Sequence, residues 1–196
     1  MENKIRILHF GLSTNIGGIE KYIFNTFSII NKTMFIFNFA TYTNNQLAFE
    51  QEFEKKGCVF YRLKNRRKRF FNQKTKKELF NFFVKNEFDV IEMHVVDLYD
   101  ILPVIVAKKA KIKKIIVHSH ASDYYGNPTV FVKMMNFINK ILIRLYKPIL
   151  IGCSNDSLNF TFGKNNKGIV VANGINLNQF YMKNYADNPL KSIAIP

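Results

Sequence analysis

Short apolar runs alternate with amphipathic segments along most of the chain. The runs have the length of buried strands, as in KIRILHF at 4–10. Between them, apolar residues recur at helical spacing, so that Ile19, Ile23 and Phe27 share one face of the segment after the first run. The pattern predicts strands at 4–10, 35–42, 58–63, 89–95, 113–122, 149–154 and 168–175, and helices at 19–30, 46–57, 74–86, 101–110 and 129–147.

The predicted strands are apolar on both faces, which is typical of strands that helices cover on both sides. Repeated strand–helix alternation therefore predicts an α/β fold with a doubly wound, mostly parallel, Rossmann-like sheet. A length of 196 residues suits one such domain. The pattern weakens after Asn178, so we expect the domain to cover 1–180 and residues 181–196 to begin an interdomain linker.

The balance of charges narrows the class of partner. The chain has 29 lysines and arginines against 14 aspartates and glutamates, a formal net charge of +15. Such a field attracts the phosphate groups of nucleic acid, anionic lipids or nucleotide-linked substrates, and charge alone does not choose among them. No apolar run reaches the roughly 18 uncharged residues of a membrane-spanning helix, so a cytoplasmic location is expected.

Polar residues follow several predicted strands at their carboxyl ends. In open α/β sheets, ligands bind beyond these ends, near the point where the strand order reverses. We therefore expect one ligand site at this edge of the sheet. The segments concerned are 15–20, 94–97, 118–123, 154–156 and 173–174.

The loop FGLSTNIGGIE at 10–20 joins the first strand to the first helix. Gly17 and Gly18 lie at the predicted helix N-terminus, where free backbone N–H groups and the helix dipole favour an anion. The loop contains neither G-x-G-x-x-G nor Gly-Lys-Ser/Thr, so it is neither a dinucleotide fingerprint nor a P-loop. Spacing alone leaves open an anion site and a tight strand-to-helix turn.

The histidines allow two kinds of chemistry. His118 and His120 are two residues apart, and with His94 they could form a three-histidine metal site. Spacing reveals no carboxylate or fourth ligand, so the sequence argues against a metal site. It instead predicts that His120 lies at the strand end, where it can hydrogen-bond a substrate. His9 is interpreted as a core histidine. A further alternative is an acid–base pair, as in glycoside hydrolysis, among the carboxylates Asp89, Asp97, Asp100 and Asp123.

The predicted helix at 129–147 carries its basic residues on one stripe, with apolar residues around most of the remaining circumference. It can be a core helix with a solvated face, or a basic amphipathic helix that rests on an anionic membrane beside the basic loop at 66–71. We find no recognition-helix or RNP-type pattern, so nucleic acid is not the expected partner. The stripe comprises Lys133, Lys140, Arg144 and Lys147.

Five segments together resemble family 4 retaining glycosyltransferases of the two-domain GT-B fold. They are GGIEKYIFN, DVIEMH, IIVHSHAS, IGCSNDS and VVANGINLNQF, and they occur in the family's order over roughly 4–180. The similarity is greatest to enzymes that build bacterial capsular or exopolysaccharide chains. Two positions depart from the family's pattern: Asn176 replaces an aspartate, and Ala172 stands where proline is common.

The resemblance implies transfer of a sugar from a nucleotide-sugar to a glycan or lipid-linked acceptor, with retention and without a metal or cofactor. The leaving phosphate is thought to help take the acceptor's proton. His120 would be the catalytic residue, in contact with the donor sugar near its reacting carbon. The resemblance assigns Gly17, Gly18, Asn173 and Gly174 to the donor's phosphates, and His94, Ser122, Asp123 and Tyr125 to the acceptor cleft.

The resemblance covers the family's amino-terminal, acceptor-side domain. The carboxy-terminal domain, which holds the nucleotide-sugar in this family, has no counterpart in the 196 residues, so the chain alone is expected to be inactive. A peripheral position at the inner face of the plasma membrane is also expected. The alternatives are a freestanding nucleotide-binding α/β protein, such as an oxidoreductase, and a basic adaptor for membrane or nucleic acid.

Overall fold

A computed structural model describes residues 4–64 and 72–174. Strands and helices alternate along these residues, as the apolar pattern predicts. The strands are β1 (Ile5–Phe10), β2 (Phe35–Thr41), β3 (Val59–Arg62), β4 (Val90–Val95), β5 (Lys114–Ser119), β6 (Ile149–Gly152) and β7 (Ile169–Val170). The helices are α1 (Gly18–Ile29), α2 (Glu50–Glu54), α3 (Gln73–Asn86), α4 (Leu102–Lys109), α5 (Val130–Tyr146) and α6 (Asn155–Phe162).

The seven strands form one sheet in the order β3-β2-β1-β4-β5-β6-β7, and every neighbouring pair is parallel. The strand order reverses between β1 and β4, which makes this pair the switch point of a doubly wound sheet. The predicted fold class is therefore confirmed.

Two apolar clusters cover the two faces of the sheet. On one face, Ile23 and Phe27 of α1 and Phe53 of α2 pack against β2. On the other, α3, α4, α5 and α6 cover the central strands, and the largest cluster of the described residues lies there. The burial of both faces explains why the strands read as continuous apolar runs.

The second helix is shorter than the predicted 46–57. Phe49 adopts a left-handed conformation with φ of 58°, and the backbone N–H of Leu47 donates to the Glu50 carboxylate at 2.7 Å. Leu47 and Ala48 are buried in the core as part of a loop. The apolar residues before Glu50 are thus core residues without being helical.

Helix α6 is absent from the sequence-based prediction. It begins after Ser154, whose hydroxyl accepts from the N–H of Ser157 while the Ser157 hydroxyl accepts from the N–H of Ser154. This reciprocal pair caps the helix start, and Leu158 and Phe162, four residues apart, are buried. The segment SNDS was interpreted as polar residues after a strand and as part of the family resemblance, although it also carries the capping signal.

Some predictions fall outside the described residues. These are the linker at 181–196, the substituted position Asn176, and the basic loop at 66–71. Within residues 4–64 and 72–174, no helix is long and apolar enough to cross a membrane.

Candidate functional site

A cleft of about 680 Å³ opens at the carboxyl ends of β1, β2 and β4. Its lining includes Gly11 after β1, Asn44 and Asn45 after β2, and His94 of β4. The cleft lies at the switch point of the sheet, which is the position where α/β folds bind ligands. The predicted edge of the sheet therefore carries an open cavity, and a second cavity of about 900 Å³ lies at the opposite edge, beside Arg6 and Asp89.

The glycine loop is closed by Glu20, a buried residue in the first turn of α1. Its carboxylate accepts from the N–H of Gly17 at 2.9 Å and from the N–H of Ser13 at 2.8 Å. A negative side chain is favourable at this end of a helix. A Cβ on Gly17 would come within 3.0 Å of the carboxylate, whereas at Gly18 the nearest atom would be 4.0 Å away. Gly17 is thus part of the turn itself, and Gly18 is the more open position.

The segment after β7 returns to the start of α1. The Asn25 side-chain amide donates to the carbonyl of Gly174 at 3.0 Å. The Asn173 side-chain nitrogen is the atom nearest to the Cβ position of Gly18, at 4.0 Å. The structure therefore brings together the two pairs of residues that the resemblance assigns to phosphate, Gly17–Gly18 and Asn173–Gly174.

The chain has four histidines, and all of them meet around Glu92. In the strand register His9 lies opposite Glu92 and His94 opposite His118, so their side chains share one face of the sheet. His94 links His9 (Nε2 to Nδ1, 3.1 Å) to His120 (Nδ1 to Nε2, 3.0 Å). Glu92 Oε1 lies 3.1 Å from His118 Nδ1. We call His9, Glu92, His94, His118 and His120 the histidine cluster.

Tyr22 of α1 covers the histidine cluster. Its ring centroid lies 4.7 Å from that of His118, 5.4 Å from that of His120 and 6.0 Å from that of His94. Burial and the nearby Glu92 raise the pKa of Tyr22. Since α1 starts at the glycine loop, Tyr22 connects that loop to the histidines.

Burial controls the charge states in the histidine cluster. It lowers the pKa of His9 to about 4 and that of His120 to about 3, in both cases against the opposing effect of Glu92. Burial also lowers the pKa of His94. Burial would raise the pKa of Glu92, but His94 and the hydrogen bond from His118 outweigh it and hold this pKa below its usual range. At neutral pH the imidazoles of His9, His94 and His120 are therefore neutral, and the Glu92 carboxylate is ionised.

The residues predicted to contact the acceptor are not all in the cleft. The side chain of His94 is buried between its neighbouring histidines. Ser122, Asp123 and Tyr125 lie on the exposed loop after β5, and Tyr125 is 86% exposed. None of these three lines the described cleft, and the adjacent Tyr124 packs its ring on Phe160 at 4.9 Å.

The basic stripe of α5 is divided between two environments. Lys140 Nζ donates to the carbonyl of Phe160 at 2.5 Å, and Arg144 Nη2 donates to that of Phe162 at 3.5 Å. Both carbonyls belong to the last turn of α6, where cations are favourable. Lys133 and Lys147 are exposed. Two of the four predicted membrane contacts thus stabilise a helix end.

The sequence-based prediction missed Glu92, Tyr22 and Gly11, and it interpreted His9 only as a core residue. A signal for Glu92 was present, because a carboxylate two residues before His94 in an apolar strand shares its face. Gly11 has φ of 108°, and a Cβ there would lie 2.3 Å from the carbonyl oxygen of His94. Only glycine fits this close approach of β1 and β4.

Comparisons with known proteins agree with this architecture. The family model described as "Glycosyl transferase 4-like" matches residues 37–152. The comparison with curated proteins gives no match.

Solved structures with a similar fold include a glycosyltransferase from Rickettsia africae ESF-5, at 17% identity and a TM-score of 0.63, over 92% of this chain and 46% of that one. Acinetobacter baumannii MurG is similar at 6% identity and a TM-score of 0.55, over 88% of this chain and 46% of its own. A putative UDP-N-acetylglucosamine 2-epimerase from Listeria monocytogenes is similar at 8% identity and a TM-score of 0.50, over 80% of this chain and 41% of that one. The chain thus spans less than half the length of each of these proteins, and identities this low show the fold alone.

Proposed function

Because the chain belongs to the glycosyl transferase 4-like family, we propose that it is the acceptor-side domain of a retaining glycosyltransferase. The enzyme would transfer a sugar from a nucleotide-sugar to a polysaccharide or lipid-linked acceptor, in the assembly of a bacterial capsule or exopolysaccharide. Retention and the class of product come from the resemblance to family 4 enzymes.

The observation that carries the proposal is the convergence of Gly17–Gly18, Asn173–Gly174 and His120 around the first turns of α1. The Asn173 side-chain nitrogen lies 4.0 Å from the Cβ position of Gly18, at the N-terminus of α1, where the helix dipole favours a phosphate. Tyr22 links that helix end to His120. A structural protein has no need for polar groups from three separate strands at a single sheet edge.

The chemistry assigned to each part follows from its environment. Gly18 is open enough for the donor's diphosphate to approach the backbone. Burial keeps the His120 imidazole neutral, so it can exchange a hydrogen bond with the donor sugar. The cleft of about 680 Å³ has the size of a small-molecule site, and it would receive the end of the acceptor.

Titration of the ¹⁵N-labelled chain with inorganic pyrophosphate tests the phosphate site. We expect the amide signals of Gly18, Asn173 and Gly174 to shift together at millimolar concentration. The amide of Asn155 at the N-terminus of α6 is the internal control, because a generic attraction of anions to helix ends would move it equally. Equal shifts at both helices, or no shift at Gly18, would contradict the proposal.

We also expect negligible sugar transfer by residues 1–196 alone, and measured turnover of a nucleotide-sugar by this chain would refute that expectation.

A lipid-linked acceptor requires contact with a membrane, and α5 offers a surface for it. Val130, Phe137 and Leu145 are 84%, 67% and 70% exposed and lie on one face of the helix. Lys133 flanks this face, and the net charge of +15 favours an anionic surface. We therefore propose that the exposed face of α5 rests on anionic lipid.

Co-sedimentation with phosphatidylglycerol vesicles tests this contact. Phe137→Glu and Leu145→Glu should each reduce binding at least about tenfold, since they bury a charge in the acyl boundary. Val84→Glu is the matched control, because Val84 is an exposed apolar residue of α3. Equal binding of all three variants would refute the contact. A dimer that Phe137→Glu dissociates would instead assign this face to a second copy of the chain.

A further inference from the structure

The histidine cluster has the composition of a transition-metal site. One ring nitrogen of each of His94, His118 and His120 lies within 4.8 Å of the other two. We propose that these three nitrogens bind a divalent first-row transition-metal ion, for which zinc is the test case. The sequence favoured no metal because spacing showed no accompanying carboxylate, and the fold supplies Glu92 and a fourth histidine, His9, behind the three donors.

His118 carries the strongest indication. The residue is completely buried, and its Nε2 has no hydrogen-bond partner among the described residues. A buried nitrogen without a partner is destabilising, whereas a metal ion accepts its lone pair. The other nitrogen, Nδ1, faces Glu92 Oε1 at 3.1 Å. The hydrogen bond to Glu92 places the proton on Nδ1 and therefore leaves Nε2 as the free donor.

The groups behind the three donors follow the pattern of known metal centres. A histidine that binds a metal generally uses its other nitrogen to hydrogen-bond a carboxylate or another acceptor, which fixes its orientation. Glu92 does this for His118, and His9 does it for His94 at 3.1 Å. Within residues 4–64 and 72–174, no lysine or arginine nitrogen pairs with Glu92. The ion would therefore bring the positive charge that this buried carboxylate lacks.

The geometry requires a small adjustment. Zinc–nitrogen bonds of 2.0–2.1 Å in a tetrahedron place the nitrogens about 3.3 Å apart. His94 Nδ1 and His120 Nε2 are already 3.0 Å apart. The widest separation allowed by the cluster, 4.8 Å, would have to close by about 1.5 Å, which rotation of the imidazole rings can supply. Three imidazoles favour zinc, copper or nickel over magnesium or calcium, which prefer oxygen.

The inference is independent of the proposed function, because ion binding requires neither a donor nor an acceptor. The bound ion is also compatible with the proposed function. With the ion on Nε2, the His120 ring carries its remaining proton on Nδ1, which is a hydrogen-bond donor. The ion would thus hold the ring of His120 in one orientation and one tautomer.

The first experiment uses the wild-type chain, without any polyhistidine tag and after treatment with a chelator. Isothermal titration with Zn²⁺ should show one ion per chain at micromolar concentration, and Mg²⁺ should show none. The ring Cε1–H signals of His94, His118 and His120 should move on zinc addition in ¹H–¹³C spectra. Folded wild-type protein that binds no Zn²⁺ in this range, or whose histidine signals do not move, overturns the proposal without any substitution.

The second experiment identifies the ligands. His118→Asn and His120→Asn should each lower the zinc affinity more than about tenfold, and Glu92→Gln should lower it about 10–100-fold by releasing the ring of His118. Glu52→Gln, a substitution of the same kind on the exposed surface of α2, should leave the affinity unchanged. Circular dichroism confirms that each variant is folded. Folded histidine variants that bind zinc as tightly as the wild type would refute the assignment.

Discussion

The close approach of β1 and β4 at Gly11 allows a quantitative prediction. Gly11 has φ of 108°, and a Cβ there would lie 2.3 Å from the carbonyl oxygen of His94. Gly11→Ala therefore imposes two penalties. The backbone conformation costs roughly 1–3 kcal/mol for a residue with a side chain. Relief of the contact by displacement of the backbone costs a further 1–3 kcal/mol or so, as in an overpacked core.

The sum predicts a loss of roughly 2–6 kcal/mol in the free energy of unfolding, against about 5–15 kcal/mol for a typical domain. Urea denaturation followed by circular dichroism measures it, provided the slope of the transition is unchanged. Gly126→Ala is the matched control, because Gly126 also has a positive φ, 64°, but nothing lies within 4 Å of its Cβ position. Gly126→Ala should lower the free energy of unfolding by only about 1–2 kcal/mol. If Gly11→Ala destabilises the protein no more than Gly126→Ala, the argument from close approach is wrong.

Two further predictions concern burial and charge. In metal-free protein, burial lowers the pKa of His9 from 6.5 to about 4, so the unfolded chain binds this proton first and stability falls as the pH drops from about 6.5 toward 4. His9 alone should lower the free energy of unfolding by about 2 kcal/mol at pH 5 relative to pH 7.5. A urea midpoint that is unchanged between these two pH values would contradict this. Lys140→Met should destabilise the protein by about 1 kcal/mol because α6 loses a cation at its last turn. The exposed Lys133→Met on the same helix should stay within about 0.5 kcal/mol of wild type, and equal effects would show that the contact with α6 is not stabilising.

The candidate site could be predicted in position but only partly in composition. The carboxyl ends of the strands meet at one edge in any parallel sheet, so the glycine loop and the segment at 173–174 were correctly expected to lie at the same edge. The approach of Asn173 to Gly18 required the segment after β7 to return to α1. Spacing along the chain carries no information on such a return.

The inner part of the site depended on the register of the strands. His9 is 83 residues from Glu92 in the sequence, yet the two lie opposite each other in neighbouring strands. Each residue alone resembles an ordinary polar substitution in an apolar strand. Only the pairing of β1 with β4 and of β4 with β5 shows that four histidines share one carboxylate.

The sequence by itself determined the order and type of nearly all elements, because apolar periodicity reflects which faces are buried in a layered α/β domain. It also determined the edge of the sheet that carries the polar loops. The tertiary structure decided what those residues do: it assigned Lys140 and Arg144 to the end of α6, left the apolar face of α5 exposed, and assembled the histidine cluster around Glu92. These outcomes depend on contacts between residues far apart in the chain. A local sequence pattern shows that a residue is buried, but it does not show which residue it contacts.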